Sequence, residues 1–224
     1  VNNEYLVTWH GDHTQTGWNE REVFAQRISS TGAQIGIDDY RISDMGPNGD
    51  NTTVGLHSDV AYNPANNQYA VVWWGSEISG EHEIYLQRLS STLTQLGTND
   101  QEISSFTPLG RASNPRIVYN AAQNEYLVGW SGYTNTVSPG VNLDNRPYEV
   151  YVQRINASTG AEVGTNDKVV SDMGIDPNAP TRDALLYAMV YNTTEAKYVA
   201  FFRGDDDTPP VTPGEKEAYG QELD

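Results

Sequence analysis

The chain has 224 residues, a net charge of −17, no cysteine, and three lysines (Lys168, Lys197 and Lys216) among its 13 basic residues. The acidity excludes a nucleic-acid partner, which would require a basic stripe. Without cysteine there is no disulfide framework, thiol nucleophile or thiolate-bound zinc. No apolar run of the ~18 residues needed to span a bilayer occurs, so membrane insertion is not expected, and no charged-then-apolar leader is present. The length fits one large all-β domain or two small ones, with enough residues to bury a core without a metal staple.

The first element is the stretch NNEYLVTW, which returns as NNQYAVVWW, QNEYLVGW and EAKYVAFF. Its tyrosines, Tyr5, Tyr69, Tyr126 and Tyr198, are spaced by 64, 57 and 72 residues. Four positions after each comes Trp9, Trp73, Trp130 or Phe202, with Val7, Val71, Val128 or Ala200 between. On a strand, i, i+2 and i+4 share a face, so each triplet predicts one buried row. The intervening positions are also mostly apolar, which places these strands between two layers.

The second element reads EVFAQRI, EIYLQRL, EVYVQRI and EAYGQEL, with fixed points Glu22, Glu83, Glu149, Glu217 and Gln26, Gln87, Gln153, Gln221. It is a strand by composition. Its Glu and Gln recur at the same place in every unit, as blade packing and strand-edge hydrogen bonding require. Carboxyls that cleave a glycoside would instead be few and face one cleft. The third element is a glycine-led turn into a strand (IGIDDYRIS, LGTNDQEIS, VGTNDKVVS), and the fourth is SDVAYNP, PRIVYNA or YAMVYNT, whose Asn suits a hairpin turn.

The unit is therefore four strands over roughly 60 residues, repeated without helical periodicity. The pattern VxYN…NEYLVxW…E(I/V)YxQR(I/L)…G…IS resembles the β-propeller repeats of secreted and cell-surface proteins of bacteria and archaea. The resemblance covers nearly the whole chain and implies an all-β propeller of about four four-stranded blades. The repeats run approximately 1–58, 59–116, 117–182 and 183–224, the first lacking its first strand and the last its fourth. Four units can close on themselves or form an arc of a larger ring completed by another chain or segment. A two-sheet sandwich is the remaining architecture. Open strand edges would favour self-association.

Function is expected on the variable loops of one propeller face. His10, Asp12 and His13 lie in one loop, His57 in a linking segment and His82 in the next unit's loop, a set suited to zinc or manganese. Asp205, Asp206 and Asp207 offer hard oxygen ligands for calcium. The tripeptide Arg203–Asp205 matches an adhesion motif, but occupies the slot of His10–Asp12 and reads as an inherited turn. Trp18, Trp74 and Tyr133 stand outside the buried register and could stack on sugar faces. The resulting expectation is a secreted or cell-surface binding module for a carbohydrate or another surface polymer. The alternatives are a metal-dependent polysaccharide lyase or hydrolase and a structural repeat of a larger surface protein.

Overall fold

The computed structural model describes residues 3–12, 20–47, 52–76, 82–106, 110–134, 148–173, 183–204 and 216–223. The quoted elements all fall on strands. The first group is β1 (Glu4–Asp12), β2 (Arg21–Ser29) and β3 (Gln34–Arg41). The second is β4 (Val54–Asn63), β5 (Gln68–Ser76), β6 (Glu83–Ser90) and β7 (Gln95–Glu102), and the third is β8 (Arg111–Asn120), β9 (Glu125–Tyr133), β10 (Glu149–Asn156) and β11 (Glu162–Val169). The fourth is β12 (Leu185–Asn192), β13 (Lys197–Gly204) and β14 (Glu217–Leu223).

Within each group consecutive strands pair antiparallel. Neighbouring groups touch edge to edge by single parallel bridges, Arg21 with Val54 and His82 with Arg111. The hairpins that join β4 to β5, β8 to β9 and β12 to β13 turn on asparagine, as the sequence anticipates. The side-chain oxygens of Asn63, Asn120 and Asn192 accept backbone N–H groups two and three residues on.

Three apolar layers separate the four groups. Tyr69, Val71 and Trp73 of β5 pack back on Val23 and Ala25 of the first group. Tyr126, Val128 and Trp130 of β9 pack on Val72, Ile84 and Leu86. Tyr198, Ala200 and Phe202 of β13 pack on Leu127, Val150 and Val152. In the second, third and fourth groups the row in the repeated stretch thus faces the preceding group, whereas Tyr5 and Val7 of the first are exposed. Each large apolar side chain so buried stabilises by about 1.5–3 kcal/mol. One expectation is corrected here. Trp73 and Trp130 are fully buried, but Trp9 is only half-buried, because no described group lies before the first.

In the first three groups the recurrent Glu and Gln lock the sheet; in the fourth, Glu217 accepts the Tyr219 hydroxyl instead. Glu22, Glu83 and Glu149 accept the hydroxyls of Ser43, Ser104 and Ser171, and the backbone N–H of Met45 (3.0 Å), Phe106 (3.0 Å) and Met173 (2.9 Å). Each serine oxygen in turn accepts the N–H of Val23, Ile84 or Val150. Gln26, Gln87 and Gln153 span a bulge in the outer hairpin. Each donates to two carbonyls and accepts the N–H of Asp39, Asp100 or Asp167, residues at φ of 48°, 45° and 47°. These buried glutamate and glutamine side chains are satisfied this way, as an interior demands.

Candidate functional site

The innermost strands β4, β8 and β12 each carry a bulge near their N-terminal ends, at Leu56–Asp59, Ser113–Arg116 and Leu186–Ala188. His57 and Asn114 occupy the first two at φ of 53° and 52°, a conformation that side-chain-bearing residues seldom adopt. Bulges re-aim side chains and are over-represented beside sites of function. The bulge on β4 swings His57 toward β1. Its N–H donates to His10 Nδ1 at 3.4 Å, and Ser58 Oγ donates to Thr8 Oγ1 at 3.1 Å.

A row of four rings results. His10 and His57 have centroids 5.3 Å apart. The His57 ring lies near-parallel to Trp74 at 6.2 Å, and Trp74 stacks on His82 at 4.6 Å. Trp74 reaches this place because it follows Trp73 in sequence. Trp73 points back into the core, so Trp74 points forward, at the end of the strand, half-buried. His10 and Asp12 are two apart on β1 and so share a face.

Burial pushes the His10 imidazole below its ordinary value, helped by His57 and by the Arg21 guanidinium. Burial does the same to His82, with Arg111 adding to it. Both rings are therefore neutral at pH 7. Such a row presents flat apolar ring faces together with ring nitrogens that can bond hydroxyls. Arg21, Arg111 and Asp12 add charged donors and an acceptor at its margins.

Of the residues singled out from sequence, His10, Asp12, His57, Trp74 and His82 come to this one face. Tyr133 does not join the row; its ring meets Tyr148 edge-on at 4.9 Å. His13, Trp18, Asp205, Asp206 and Asp207 lie outside the described residues. Sequence reading missed the bulge that delivers His57, although LHSD and ASNP stand at equivalent places in the second and third groups. It also missed that Trp74 bridges two histidines, which only tertiary packing decides. The inner carboxylate Asp59 is a strap: its Oδ2 accepts the N–H of Ile117 on β8 at 3.0 Å.

No protein-family model matches the sequence, and no curated protein matches it. Solved structures do share its fold. An endo-1,5-α-L-arabinanase from Thermotoga petrophila superposes with a TM-score of 0.53 at 16% identity, over 98% of this chain and 53% of that one. An endo-arabinase from Bacteroides thetaiotaomicron gives 0.51 at 13%, over 99% and 71%. A thermostable family-43 glycoside hydrolase gives 0.53 at 10%, over 99% and 68%. The chain thus spans between about half and seven tenths of the length of these proteins. At such identities the likeness shows the fold, a β-propeller.

One expectation is corrected. The module that only binds gives way, because the three solved structures compared above are an arabinanase, an arabinase and a family-43 glycoside hydrolase. Among the described residues no three His, Asp or Glu side chains gather as a metal would need, and His13 lies outside them. His10 Nδ1 accepts the His57 backbone N–H.

Proposed function

We propose that the chain is part of a polysaccharide-processing propeller of about four blades, a glycoside hydrolase acting on an uncharged polymer. The observation that carries this reading is the row His10–His57–Trp74–His82 with Asp12 on the same face. In this reading Trp74 and His57 stack on a sugar ring, and His82 and His10 bond its hydroxyls as neutral imidazoles. A net charge of −17 repels anionic polymers, which favours neutral chains of the arabinan kind. Such polymers lie outside cells, so an exported or surface location goes with the proposal.

Glycoside cleavage needs two carboxyl groups, one to protonate the leaving oxygen and one to act as base or nucleophile. Asp12 supplies one. The sequence offers Glu77 and Glu81, between Trp74 and His82, as the other. The test is release of reducing ends from a panel of arabinan, galactan, xylan and glucan, run with the unaltered chain and with Asp12→Asn and Trp74→Ala. Asp12→Asn is expected to remove turnover while leaving sugar binding in place, and Trp74→Ala to weaken binding itself. Failure of every polymer in the panel to yield reducing ends overturns the proposal.

A further inference from the structure

One contact recurs where a sheet meets the bulge of the next. The residue after the row's aromatic is His10, Trp74, Ser131 and Arg203 in the four groups. At the first junction His10 Nδ1 accepts the N–H of His57, which follows Leu56, the partner of Trp74. At the third, Ser131 Oγ accepts the N–H of Leu186 at 2.7 Å, and Leu186 follows Leu185, the partner of Arg203. The same place on β8 belongs to Asn114, which follows Ser113, the partner of Ser131. Here the preceding sheet presents Trp74, and an indole nitrogen donates but cannot accept. The side-chain cap that the other two bulges receive from the sheet before them is therefore missing at Asn114.

The side chain at this place differs too. Leu186 has ordinary strand backbone and buries its side chain in the apolar layer. His57 and Asn114 stand at φ of 53° and 52°, and neither is buried. The His57 ring lies between His10 of the sheet before and Trp74 of its own. Repetition of the unit puts the Asn114 carboxamide between Trp74 and Ser131. The Ser131 hydroxyl is engaged with Leu186, and among the described residues the Asn114 side chain makes no hydrogen bond. Its backbone is held on both sides. The His82 carbonyl accepts the Ala112 N–H at 2.8 Å, and the Arg116 guanidinium donates to the carbonyls of Pro115 and Tyr187 at 2.8 and 2.7 Å. A fixed, half-buried amide thus stands next to the indole that His82 stacks on.

We propose that Asn114 is a specificity-determining residue of the site at Trp74. A sugar ring rests on the indole, and the Asn114 carboxamide bonds two neighbouring hydroxyls of that ring. Its Oδ1 accepts from one hydroxyl and its Nδ2 donates to the next, so a vicinal pair is preferred over an isolated or substituted hydroxyl. A sugar oxygen beside the Asn114 N–H fills the place that His10 Nδ1 and Ser131 Oγ fill at the other junctions. Asn114 acts in this way only if the ring row is a sugar site, and it acts on binding and not on bond cleavage. Asparagine also tolerates positive φ better than most residues, which by itself would explain its presence. Glycine tolerates that backbone as well and carries no amide, which separates the two roles.

The test is calorimetric titration of linear arabino-, galacto-, xylo- and gluco-oligosaccharides into the unaltered chain, Asn114→Gly and Asn114→Ala, with reducing-end release from the parent polymers followed in parallel. The O-methylated form of the oligosaccharide that binds is titrated as well. Asn114→Gly is expected to bind about tenfold more weakly, the loss of two hydrogen bonds, and to melt as the unaltered chain does. Asn114→Ala shows the same loss with a Cβ in place, should glycine loosen β8. The methylated oligosaccharide is expected to bind all three proteins equally poorly. Where the polymer is cleaved, KM rises and kcat stays. Equal affinity of the unaltered and glycine-substituted chains overturns the proposal and leaves Asn114 a backbone residue. No binding of any oligosaccharide by the unaltered chain overturns it too. An affinity difference without release of reducing ends supports it and overturns only the hydrolase reading.

Discussion

The Trp74 indole lies between two imidazoles, 6.2 Å from the His57 ring and 4.6 Å from that of His82, with interplanar angles of 16° and 27°. An indole stacked on a neutral imidazole fluoresces, and protonation of that imidazole quenches it. Burial, then Arg111, holds His82 below its ordinary value of 6.5, so the quenching sets in only as the pH falls below that value. Trp74→Phe is expected to leave the emission of the other tryptophans while removing the pH-dependent part. A titration of the Trp74→Phe protein that keeps the full acid quench would show that the stack does not exist in solution.

The carboxyl–serine locks predict stability losses of similar size in separate sheets. Ser104→Ala leaves the buried Glu83 and the Ile84 N–H each short of a partner, and Ser171→Ala does the same to Glu149 and Val150. Each is expected to cost about 1.5–3 kcal/mol in denaturant melts. The two sites share no partner, so the double variant is expected to lose the sum to within about 0.5 kcal/mol.

Burial raises the Glu83 carboxyl from 4.5 to about 7, against the opposing pull of Ser104 and the Phe106 N–H. Because its folded value is raised, the folded chain binds this proton more tightly. The resulting stability is fully present below pH 4.5 and is lost as the pH rises toward 7. His82 has the opposite sign. Its lowered folded value removes stability as the pH falls through 6.5. Urea melts across this range are expected to show Glu83→Gln closing its gap to the unaltered protein as pH rises, and His82→Gln opening one in its favour as pH falls. A pH-independent gap for Glu83→Gln would refute the assignment.

Two glycines in equivalent places predict losses of different size. A Cβ on Gly75 would stand 2.8 Å from the Val54 carbonyl oxygen and 2.6 Å from Met45 Cε. On Gly11, two residues after Trp9 as Gly75 is after Trp73, the nearest atom would be 3.8 Å away, on Phe24. Gly75→Ala is expected to destabilise by about 1–3 kcal/mol and Gly11→Ala by no more than about 0.5 kcal/mol, both read from thermal midpoints. The difference measures the inner strand β4, which Gly75 touches and Gly11 has no counterpart of among the described residues.

Most of the fold is legible in the sequence because its signal is local and repeated. The Tyr-x-Val-x-Trp period states which face is buried, and four occurrences average out the exceptions. The structural role of Glu83 and Gln87 is legible for the same reason: a side chain that returns in every unit serves the unit. The strand extents are less so. β4 and β8 begin at Val54 and Arg111, ahead of the unit boundaries at 59 and 117, because the extra residues at His57 and Asn114 break the alternation that marks a strand. The ring row is the least legible part. Nothing in the spacing of His10, His57, Trp74 and His82 states that an indole, and not a metal, stands among the imidazoles. That depends on which way the second tryptophan of a Trp–Trp pair turns.

The tyrosine rows of β5, β9 and β13 all face backward along the polypeptide, onto a sheet with lower residue numbers. On the ribosome, the surface against which each new sheet must settle has therefore already emerged. The sheet lock, too, closes within about 25 residues, from Glu83 to Phe106 for instance. Assembly can follow synthesis group by group, which shortens the time that greasy strands such as β5 and β9 spend in contact with water.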